Sequence, residues 1–243
     1  MPPVLHRLDS VSSTQDTLHD MAAQGAQAGT AVLAAEQTEG RGRRGRQWAS
    51  PRGGLWLSVL CRPETVLAIE VLSLRVALAV ARVIEARVAG VTVELKWPND
   101  LMLDDRKLGG ILCEARWQGD SPAWVVVGVG LNLGNPIPPE LTGRAVNLTG
   151  CAPHLTPDQI APDLVAAVLE ASRLDRALTG DEVVGFGQRD WLRGRRMREP
   201  VAGVAEGITA EGLLAVRRDD GTLGLVRSGT VVLDEAPAVQ GDE

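Results

Sequence analysis

EQTEGRGRRGRQW, at residues 36–48, is the stretch around which this chain is organised. Four arginines and three glycines share residues 40–46, and Trp48 closes the run. Glycine has a flexible backbone and neighbouring cations repel each other, so this stretch cannot make a stable helix or strand by itself. We expect a loop that is mobile when empty and becomes ordered when an anion neutralises its charge.

Three interpretations of this loop compete. Gly40, Gly42 and Gly45 match the spacing G-x-G-x-x-G of dinucleotide-binding loops, but that motif needs a helix that begins at the glycines. Here the chain continues into WASPRGG at residues 48–54, which breaks helices. The other two interpretations are a patch that binds nucleic-acid phosphates and a solvated surface loop.

The composition narrows the class of protein. The 25 basic and 31 acidic residues give a net charge of −6, so the basic loop indicates a local anion site rather than a surface that coats nucleic acid. Cys61, Cys113 and Cys151 form no C-x-x-C pair, and the three histidines are scattered, which predicts neither a disulfide framework nor a metal site. Without a signal peptide or a long apolar run, we expect a cytoplasmic protein that does not associate with membranes.

The hydrophobic pattern predicts a mixture of helices and strands. Ser13 and Thr14 are suitable N-caps for the first helix. Buried strands are predicted on both sides of the basic loop, and a long apolar helix follows them. The predicted strands cover residues 30–35, 55–60, 91–96, 101–103, 108–117 and 123–130, and the predicted helices cover residues 15–26, 67–88, 156–178 and 182–192.

From about residue 194 the pattern changes to short alternating segments, which predict a small closed β barrel. Asp220-Gly221 is a strong hairpin turn between two of these segments. We therefore expect a catalytic domain at residues 1–193 and a β-barrel domain at residues 194–243, of which residues 236–243 are expected to be disordered. The alternating segments cover residues 200–204, 213–216 and 223–226.

Three further motifs follow the basic loop, and they are KWPNDL at residues 96–101, KLGGIL at residues 107–112 and GVGLN at residues 128–132. Together with residues 36–48, they resemble in order the four motifs of the biotin–protein ligases, also called biotin–[acetyl-CoA-carboxylase] ligases. Residues 36–48 look like the biotin-binding loop of that family. The order, the spacing and the all-β C-terminal part also match, so the resemblance covers nearly the whole chain.

The resemblance implies an α+β fold, with a mixed, largely antiparallel sheet flanked by helices and a small C-terminal SH3-like β barrel. This is the class II synthetase-like fold of the biotin and lipoate ligases. Many relatives carry an N-terminal DNA-binding domain, whereas this chain begins about a dozen residues before Ser13, which implies a ligase without that domain. The family is also compatible with a homodimer.

The reaction implied by the resemblance has two halves. The carboxylate of biotin attacks the α-phosphate of ATP, whose pyrophosphate Mg²⁺ shields, and biotinyl-5′-AMP forms. A lysine of a biotin carboxyl carrier protein then attacks the mixed anhydride and releases AMP. Because a carboxylate and a polyphosphate repel each other, cations must converge on the α-phosphate. The residues implied as catalytic are Arg41, Lys96, Asp100 and Lys107.

Biotin has a polar ureido ring and an apolar thioether ring, so its pocket needs a few fixed polar groups in an apolar wall. The biotin-binding residues implied by the resemblance are Ser13, Thr14, Gln15, Gln37, Gly40, Arg41, Gly42, Arg43, Lys107 and Gly110. The residues implied for ATP or the adenylate are Arg43, Arg46, Trp48, Lys96, Asn99 and Asn132.

Several of these residues also have a purely structural interpretation. Ser13 and Thr14 could be helix caps alone, Lys107 an exposed hairpin lysine, Gly110 a strand bulge and Trp48 a core tryptophan. Gln15 departs from the family, which usually has Ser-Thr-Asn where this chain has Ser-Thr-Gln.

Two other functions are compatible with parts of the sequence. A lipoate or octanoate ligase shares a related fold and the same acyl chemistry, and the arginine-rich run together with KWPND favours biotin over it. A nucleic-acid-binding module would use the basic loop alone and would bind polynucleotides with a steep salt dependence.

Overall fold

Two β-sheets organise residues 3–234, the part of the chain that the computed structural model describes. The larger sheet contains β1 (Val4–Val11), β2 (Thr30–Gln37), β3 (Leu55–Cys61), β4 (Glu94–Lys96), β5 (Asp100–Leu103), β6 (Arg106–Gln118) and β7 (Ser121–Leu131). Their order is β1-β2-β3-β7-β6-β5-β4. β1 and β2 run parallel and the other neighbouring pairs run antiparallel, which confirms the predicted mixed, largely antiparallel sheet.

The edge strand β1 was not predicted from the sequence. Its side chains are exposed or half-buried along its whole length, on both faces. Such a strand shows neither an apolar run nor a clean alternation, so its sequence carries no strand signal. β1 is formed by its pairing with β2, which brings its end to the start of the first helix.

Helices cover both faces of this sheet. One face packs against the first helix through Leu18, Val32 and Leu60, and the other packs against the long helix through residues such as Ala31 and Val59. Because alternate strand residues point to opposite faces, β2, β3 and β7 are buried on both sides and read as continuous apolar runs. The helices are α1 (Thr14–Ala23), α2 (Val66–Arg87), α3 (Pro157–Ser172) and α4 (Gly180–Gly187).

The last two helices end earlier than predicted. α3 begins at a capping box formed by Thr156 and Gln159, as its sequence indicates, but it ends at Ser172. α4 ends at Gly187 because the following residues bond to the sheet instead of continuing the helix. The Leu95 N–H donates to the Arg189 carbonyl at 2.7 Å, and the Trp191 N–H donates to the Leu95 carbonyl at 3.0 Å. None of the helices within residues 3–234 is both long and apolar enough to cross a membrane.

The smaller sheet is antiparallel and contains β8 (Arg196–Glu199), β9 (Gly203–Ile208), β10 (Leu214–Arg217), β11 (Leu223–Val226) and β12 (Val232–Leu233). Their order is β11-β10-β9-β8-β12. The turn at Asp220-Gly221 joins β10 to β11, as predicted. The predicted segment 200–204 is misplaced, because residues 200–202 form the turn between β8 and β9, where Pro200 cannot donate a ladder hydrogen bond, while residues 203–204 belong to β9.

Both sheets share one hydrophobic core with α2, and β9 of the smaller sheet contacts α4. The Trp97 indole at the end of β4 donates to the Gly212 carbonyl at 3.0 Å, which joins the two sheets beside the KWPND turn. A small C-terminal β unit is therefore present, while the boundary at residue 194 and the closed barrel stay predictions. Residues 236–243, predicted to be disordered, lie outside the described residues.

Candidate functional site

A cavity of about 340 Å³ lies over the larger sheet, between the start of α1 and the basic loop. The turn between β4 and β5, the strands β6 and β7, and the residues before β12 complete its wall. The cavity brings together most of the predicted site residues, which are Ser13, Thr14, Gln15, Gln37, Arg41, Gly42, Arg43, Arg46, Trp48, Lys96, Asn99, Asp100, Lys107 and Gly110.

Two predicted site residues lie outside this lining. Gly40 is buried behind the loop, where an added Cβ would collide with Ser50 Oγ and with the Trp48 carbonyl at 2.5 Å. Asn132 is also buried, and its Oδ1 accepts a hydrogen bond from Asn135 Nδ2 at 3.1 Å. Both residues shape the surroundings of the cavity, so their direct contact with a ligand stays a prediction.

One end of the cavity is a buried network of neutral polar groups. Gln37 Oε1 accepts from the Thr14 backbone N–H at 2.8 Å and from the Thr14 hydroxyl at 3.0 Å. The Gln37 amide nitrogen donates to Ser50 Oγ at 2.8 Å. These bonds fix the orientation of the Gln37 amide. The end of β2 is thereby attached to the start of α1.

Two buried oxygen atoms at this end have no hydrogen-bond partner among the described residues. They are Ser13 Oγ and Gln15 Oε1. Ser13 is the N-cap residue of α1, yet its hydroxyl makes no capping bond, so capping alone does not explain it. An unsatisfied buried polar group costs about 1–3 kcal/mol. Both residues line the cavity, so a ligand bound there can supply the missing hydrogen-bond partners.

The other end of the cavity is cationic. Lys107 Nζ lies 2.7 Å from Asp100 Oδ1 and 5.0 Å from the centre of the Trp48 ring. The Lys107 side chain is 34% exposed, so it is not a free hairpin lysine. Asp100 of β5 pairs with Gly110 of β6, whose added Cβ would lie 3.5 Å from Asp100 Oδ1, and Lys107 pairs with Met102, so the two charged side chains meet diagonally across the hairpin. This end of the cavity is suited to an anion.

Lys96 is the second lysine of the chain, and the two lysines of the sequence both line the cavity. Burial lowers the pKa of Lys96 below its ordinary value, and the nearby charge of Asp100 opposes that shift. The remaining basic residues of the sequence are arginines. The cavity therefore contains every side-chain amine of the sequence.

The basic loop is folded over the cavity as a short hairpin. The Gly42 N–H donates to the Arg46 carbonyl at 2.7 Å, and the Trp48 N–H donates to the Gly40 carbonyl at 2.8 Å. Arg44, with φ of 60°, lies at its tip. The loop thus has backbone hydrogen bonds that its composition did not predict. They form because its two ends, at Gly40 and Gly42 on one side and at Arg46 and Trp48 on the other, lie next to each other. Its mobility in the free protein stays a prediction.

Side chains of the loop attach it to four different parts of the structure. Arg41 makes a bidentate ion pair with Asp16 of α1, and its Nη2 lies 3.3 Å from Glu114 Oε2. Arg43 Nη1 donates to Asn99 Oδ1 at 3.3 Å. Arg44 and Arg46 donate to the Thr230 hydroxyl at 3.1 and 2.9 Å. The last contact links the loop to the smaller sheet.

Asp16 and Thr230 are neighbours of the site that the sequence does not predict. Asp16 follows the Ser-Thr-Gln motif and Thr230 lies in a loop before β12. Neither residue belongs to a pattern that points to a ligand, and their roles come from contacts with distant arginines. No local signal in the sequence could have found them.

The glycines of β7 are also part of the wall. Gly128 and Gly130 point to the cavity face, where an added Cβ would lie 2.6 Å from Gln15 Nε2 and 3.0 Å from Trp48 Nε1, respectively. They were noted as part of a motif but not as site residues. Their spacing of two within an apolar strand was the available signal, because such residues share one face.

Trp48 packs against β7 at Gly130, where the strand has no side chain. Its indole nitrogen is buried and has no hydrogen-bond partner among the described residues. The ring is half-buried, lines the cavity and lies beside Lys107. A tryptophan of the hydrophobic core is instead almost fully buried, as Trp97 is. Trp48 therefore offers a flat apolar surface to a ligand at the cationic end.

Within residues 3–234, no three His, Cys, Asp or Glu side chains converge in a way that could hold a metal ion. Asp100, the acidic residue in the wall, is paired with Lys107.

Comparison with known proteins places this chain among a set of ligases. A family model described as the biotin/lipoate A/B protein ligase family matches residues 8–132. The bifunctional ligase/repressor BirA of Bacillus subtilis is 33% identical over 227 residues, which cover 88% of this chain and 69% of that protein. The biotin–[acetyl-CoA-carboxylase] ligase of Mycobacterium tuberculosis is 32% identical over 246 residues, covering 93% of this chain and 88% of that protein.

For three further ligase/repressor relatives, the matched region spans less than half of the relative's length. Among solved structures, the biotin protein ligase from Aquifex aeolicus in complex with biotin and ATP is similar with a TM-score of 0.80. It is 26% identical, and the match covers 96% of this chain and 99% of that one.

Proposed function

Because the chain belongs to the biotin/lipoate A/B protein ligase family, we propose that it is a biotin–protein ligase. It activates biotin with ATP to biotinyl-5′-AMP and pyrophosphate, and it then transfers the biotinyl group to a lysine of a biotin carboxyl carrier protein. The relatives that are named ligases for biotin and the similar structure with biotin and ATP support this proposal.

One observation carries the proposal. A single cavity has two unsatisfied buried oxygens at one end and two lysines at the other. The ureido ring of biotin has two N–H donors that suit Ser13 Oγ and Gln15 Oε1, while the carboxylate of its valeryl chain suits the cations. A pocket that is polar at one end and cationic at the other thus fits a ligand with a neutral polar head and an anionic tail.

In the first half-reaction, a carboxylate oxygen of biotin attacks the α-phosphorus of ATP. The bond from the α-phosphorus to the bridging oxygen breaks, and pyrophosphate leaves with the electron pair. Lys107 and Arg43 stabilise the negative charge that builds on the α-phosphate. Lys96 contacts the polyphosphate, and Trp48 packs against the adenine. Mg²⁺ enters with ATP, whose phosphates carry it.

In the second half-reaction, the acceptor amine attacks the biotinyl carbonyl carbon and AMP leaves. The attacking lysine must be neutral, and its deprotonation at pH 7.4 costs about 4 kcal/mol for an ordinary lysine. Asp100 lies at the mouth of the cationic end, where its carboxylate can orient the incoming ammonium and accept a hydrogen bond from it. Its main contributions are orientation and charge pairing.

Biotin-dependent ATP–pyrophosphate exchange tests the proposal directly. Labelled pyrophosphate should enter ATP when biotin is present, and it should not do so when biotin is omitted. Lipoate and octanoate, supplied in place of biotin, should support much slower exchange. Exchange that prefers lipoate would move the chain to the lipoate branch of the family, and exchange with none of the three acids would reject the proposed activity.

The basic loop should become resistant to proteolysis when the site is filled. Acyl-adenylates hydrolyse, so the loop is proposed to close over the intermediate and exclude water. Arg44 and Arg46 are exposed and lie next to cleavable bonds. Trypsin is expected to cut there at least about tenfold more slowly with biotin plus ATP than without ligand, since a bound state suppresses opening. Fragment masses over time measure this rate.

Arg173 provides the internal control, because it is well exposed on the distant end of α3. Cleavage after Arg173 should not respond to the ligands. If the two regions respond alike, or if cleavage in the loop is equally fast in both states, the closing-loop hypothesis fails.

Gly128→Ala should weaken biotin binding through Gln15. The new Cβ would lie 2.6 Å from Gln15 Nε2, which now donates to the Leu112 carbonyl at 2.9 Å, so the amide must leave its position. We expect the KM for biotin to rise about tenfold, equivalent to ~1.4 kcal/mol. Combining the change with Gln15→Asn, which shortens the side chain by one methylene, should recover most of that loss.

Gly150→Ala is the matched control, since no atom lies within 4 Å of a Cβ at that position. It should leave the KM for biotin unchanged. Additive effects of the two changes at positions 15 and 128 would contradict the assigned contact.

A further inference from the structure

The ammonium of Lys96 lies over the face of Trp191, a residue that follows α4 and is distant from Lys96 in the sequence. Lys96 Nζ is 4.7 Å from the centre of the Trp191 ring. The backbone around Trp191 forms hydrogen bonds with Leu95, next to Lys96. These bonds hold the segment along the edge of β4 and place the Trp191 ring beside Lys96. Trp191 itself is 7% exposed and does not line the cavity.

Two neighbours hold this ring in place. The Trp191 indole N–H donates to Asp105 Oδ1 at 2.8 Å. Arg195 stacks on the same ring, with its guanidinium carbon 3.9 Å from the ring centre, and it also donates to Asp105 Oδ1 at 2.5 Å. Asp105 lies in the turn between β5 and β6, the strands that carry Asp100 and Lys107. The ring is therefore fixed to the same hairpin that holds the rest of the cationic end.

Lys96 and Lys107 are stabilised in different ways. The Lys107 ammonium has a carboxylate partner, whereas the Lys96 ammonium makes no ion pair and no hydrogen bond with residues 3–234. Burial opposes the charged form of Lys96 and lowers its pKa. The face of an indole ring attracts a cation electrostatically. That attraction needs no hydrogen-bond acceptor of the protein, so the N–H donors that point away from the ring stay available to a ligand.

We propose that Trp191 is a positioning residue, which keeps the Lys96 ammonium charged and directed at the polyphosphate of ATP with its N–H donors free. This inference rests on the proposed function, because it assigns the ligand of Lys96 within the same site. Trp191 acts through Lys96, since the ring does not reach the cavity. A carboxylate in its place would neutralise Lys96 and compete with phosphate.

Nuclear magnetic resonance can observe this arrangement without any ligand. The sequence has two lysines, so protein labelled with ¹³C-lysine gives two side-chain signals, and the Lys96→Arg variant assigns them. In the wild-type protein the ε-CH₂ protons of Lys96 should be shifted upfield by the indole ring current. Trp191→Leu should move them toward the position of a free lysine, and Trp191→Phe should keep most of the shift. The Lys107 signal, which reports Trp48, should stay unchanged and shows that each variant is folded.

Kinetic constants of the same variants distinguish a specific effect on Lys96 from a general loss of structure. Trp191→Leu should raise the KM for ATP at least about tenfold in the exchange assay, while the KM for biotin stays within about twofold. Trp191→Phe keeps an aromatic face but loses the bond to Asp105, and it should remain within about threefold of the wild type.

Three results would overturn the inference. They are an unchanged Lys96 signal in Trp191→Leu, an equal rise in KM for ATP and biotin, and a Trp191→Phe variant as impaired as Trp191→Leu. If the wild-type protein catalyses no exchange with biotin, the proposed function fails instead, and the resonance experiment still decides whether Trp191 holds Lys96.

Discussion

Lys107→Ala is expected to lower kcat/KM for biotin-dependent ATP–pyrophosphate exchange by about 10²–10³-fold, the usual cost of removing one preorganised group that stabilises transition-state charge. The Lys107 ammonium is held between the Asp100 carboxylate and the Trp48 ring, at the end of the cavity assigned to the reacting carboxylate and phosphate. Its loss also leaves Asp100 unpaired there, which adds repulsion toward both anionic substrates.

Arg106→Ala is the control for this variant. Arg106 precedes Lys107 in β6 and carries the same charge. Its Nη2 lies 3.7 Å from Asp104 Oδ2, so its ion pair does not involve Asp100. Its removal should change the exchange rate by less than about twofold, as is usual for an isolated surface ion pair. A Lys107→Ala enzyme that retains more than a tenth of wild-type kcat/KM would show that Lys107 does not stabilise the reaction.

Asp100→Asn is expected to slow the second half-reaction, the transfer of biotin, more than the first, the formation of the adenylate. Transfer of biotin from preformed adenylate to the carrier protein should fall about 100-fold, because the amide no longer pairs with the incoming ammonium. Adenylate formation should fall less, since Lys107 keeps its charge and its position over Trp48. Pyrophosphate release and biotin transfer, measured separately, give the two rates.

Asp104→Asn is a suitable comparison, because Asp104 lies in the turn of the same hairpin and its side chain is 70% exposed. Both half-reactions should proceed at wild-type rates in that variant. Equal losses in the two half-reactions of Asp100→Asn would mean that the carboxylate supports Lys107 rather than the acceptor amine.

The sequence was sufficient for those parts of the fold that have a local pattern. β3 and β7 are apolar runs because both faces of the sheet are covered, and α2 is a long apolar helix that lies within one residue of its predicted bounds. The hairpin at Asp220-Gly221 follows from turn chemistry. Each of these signals lies within a few consecutive residues, so a single sequence contains it.

Elements without a local pattern differ from the prediction. β1 has no apolar face, and α4 ends where Arg189 and Trp191 find hydrogen-bond partners on Leu95. Propensity alone would continue that helix to residue 192. The tertiary contact prevails because each buried backbone group needs a partner, and the edge of β4 supplies one.

For the site, the sequence determined which residues meet, through four motifs whose order and spacing resemble one family. It did not determine how their charges are arranged. The pairing of Arg41 with Asp16, the closure of the loop onto Thr230 and the stacking of Lys96 on Trp191 join residues that are distant in the chain. Distances of a few ångströms between such residues depend on the packing of both sheets and of the helices between them, and no local pattern encodes them. Residue identity thus gave the chemistry of the site, whereas the tertiary structure decided which cations are paired and which remain free for a ligand.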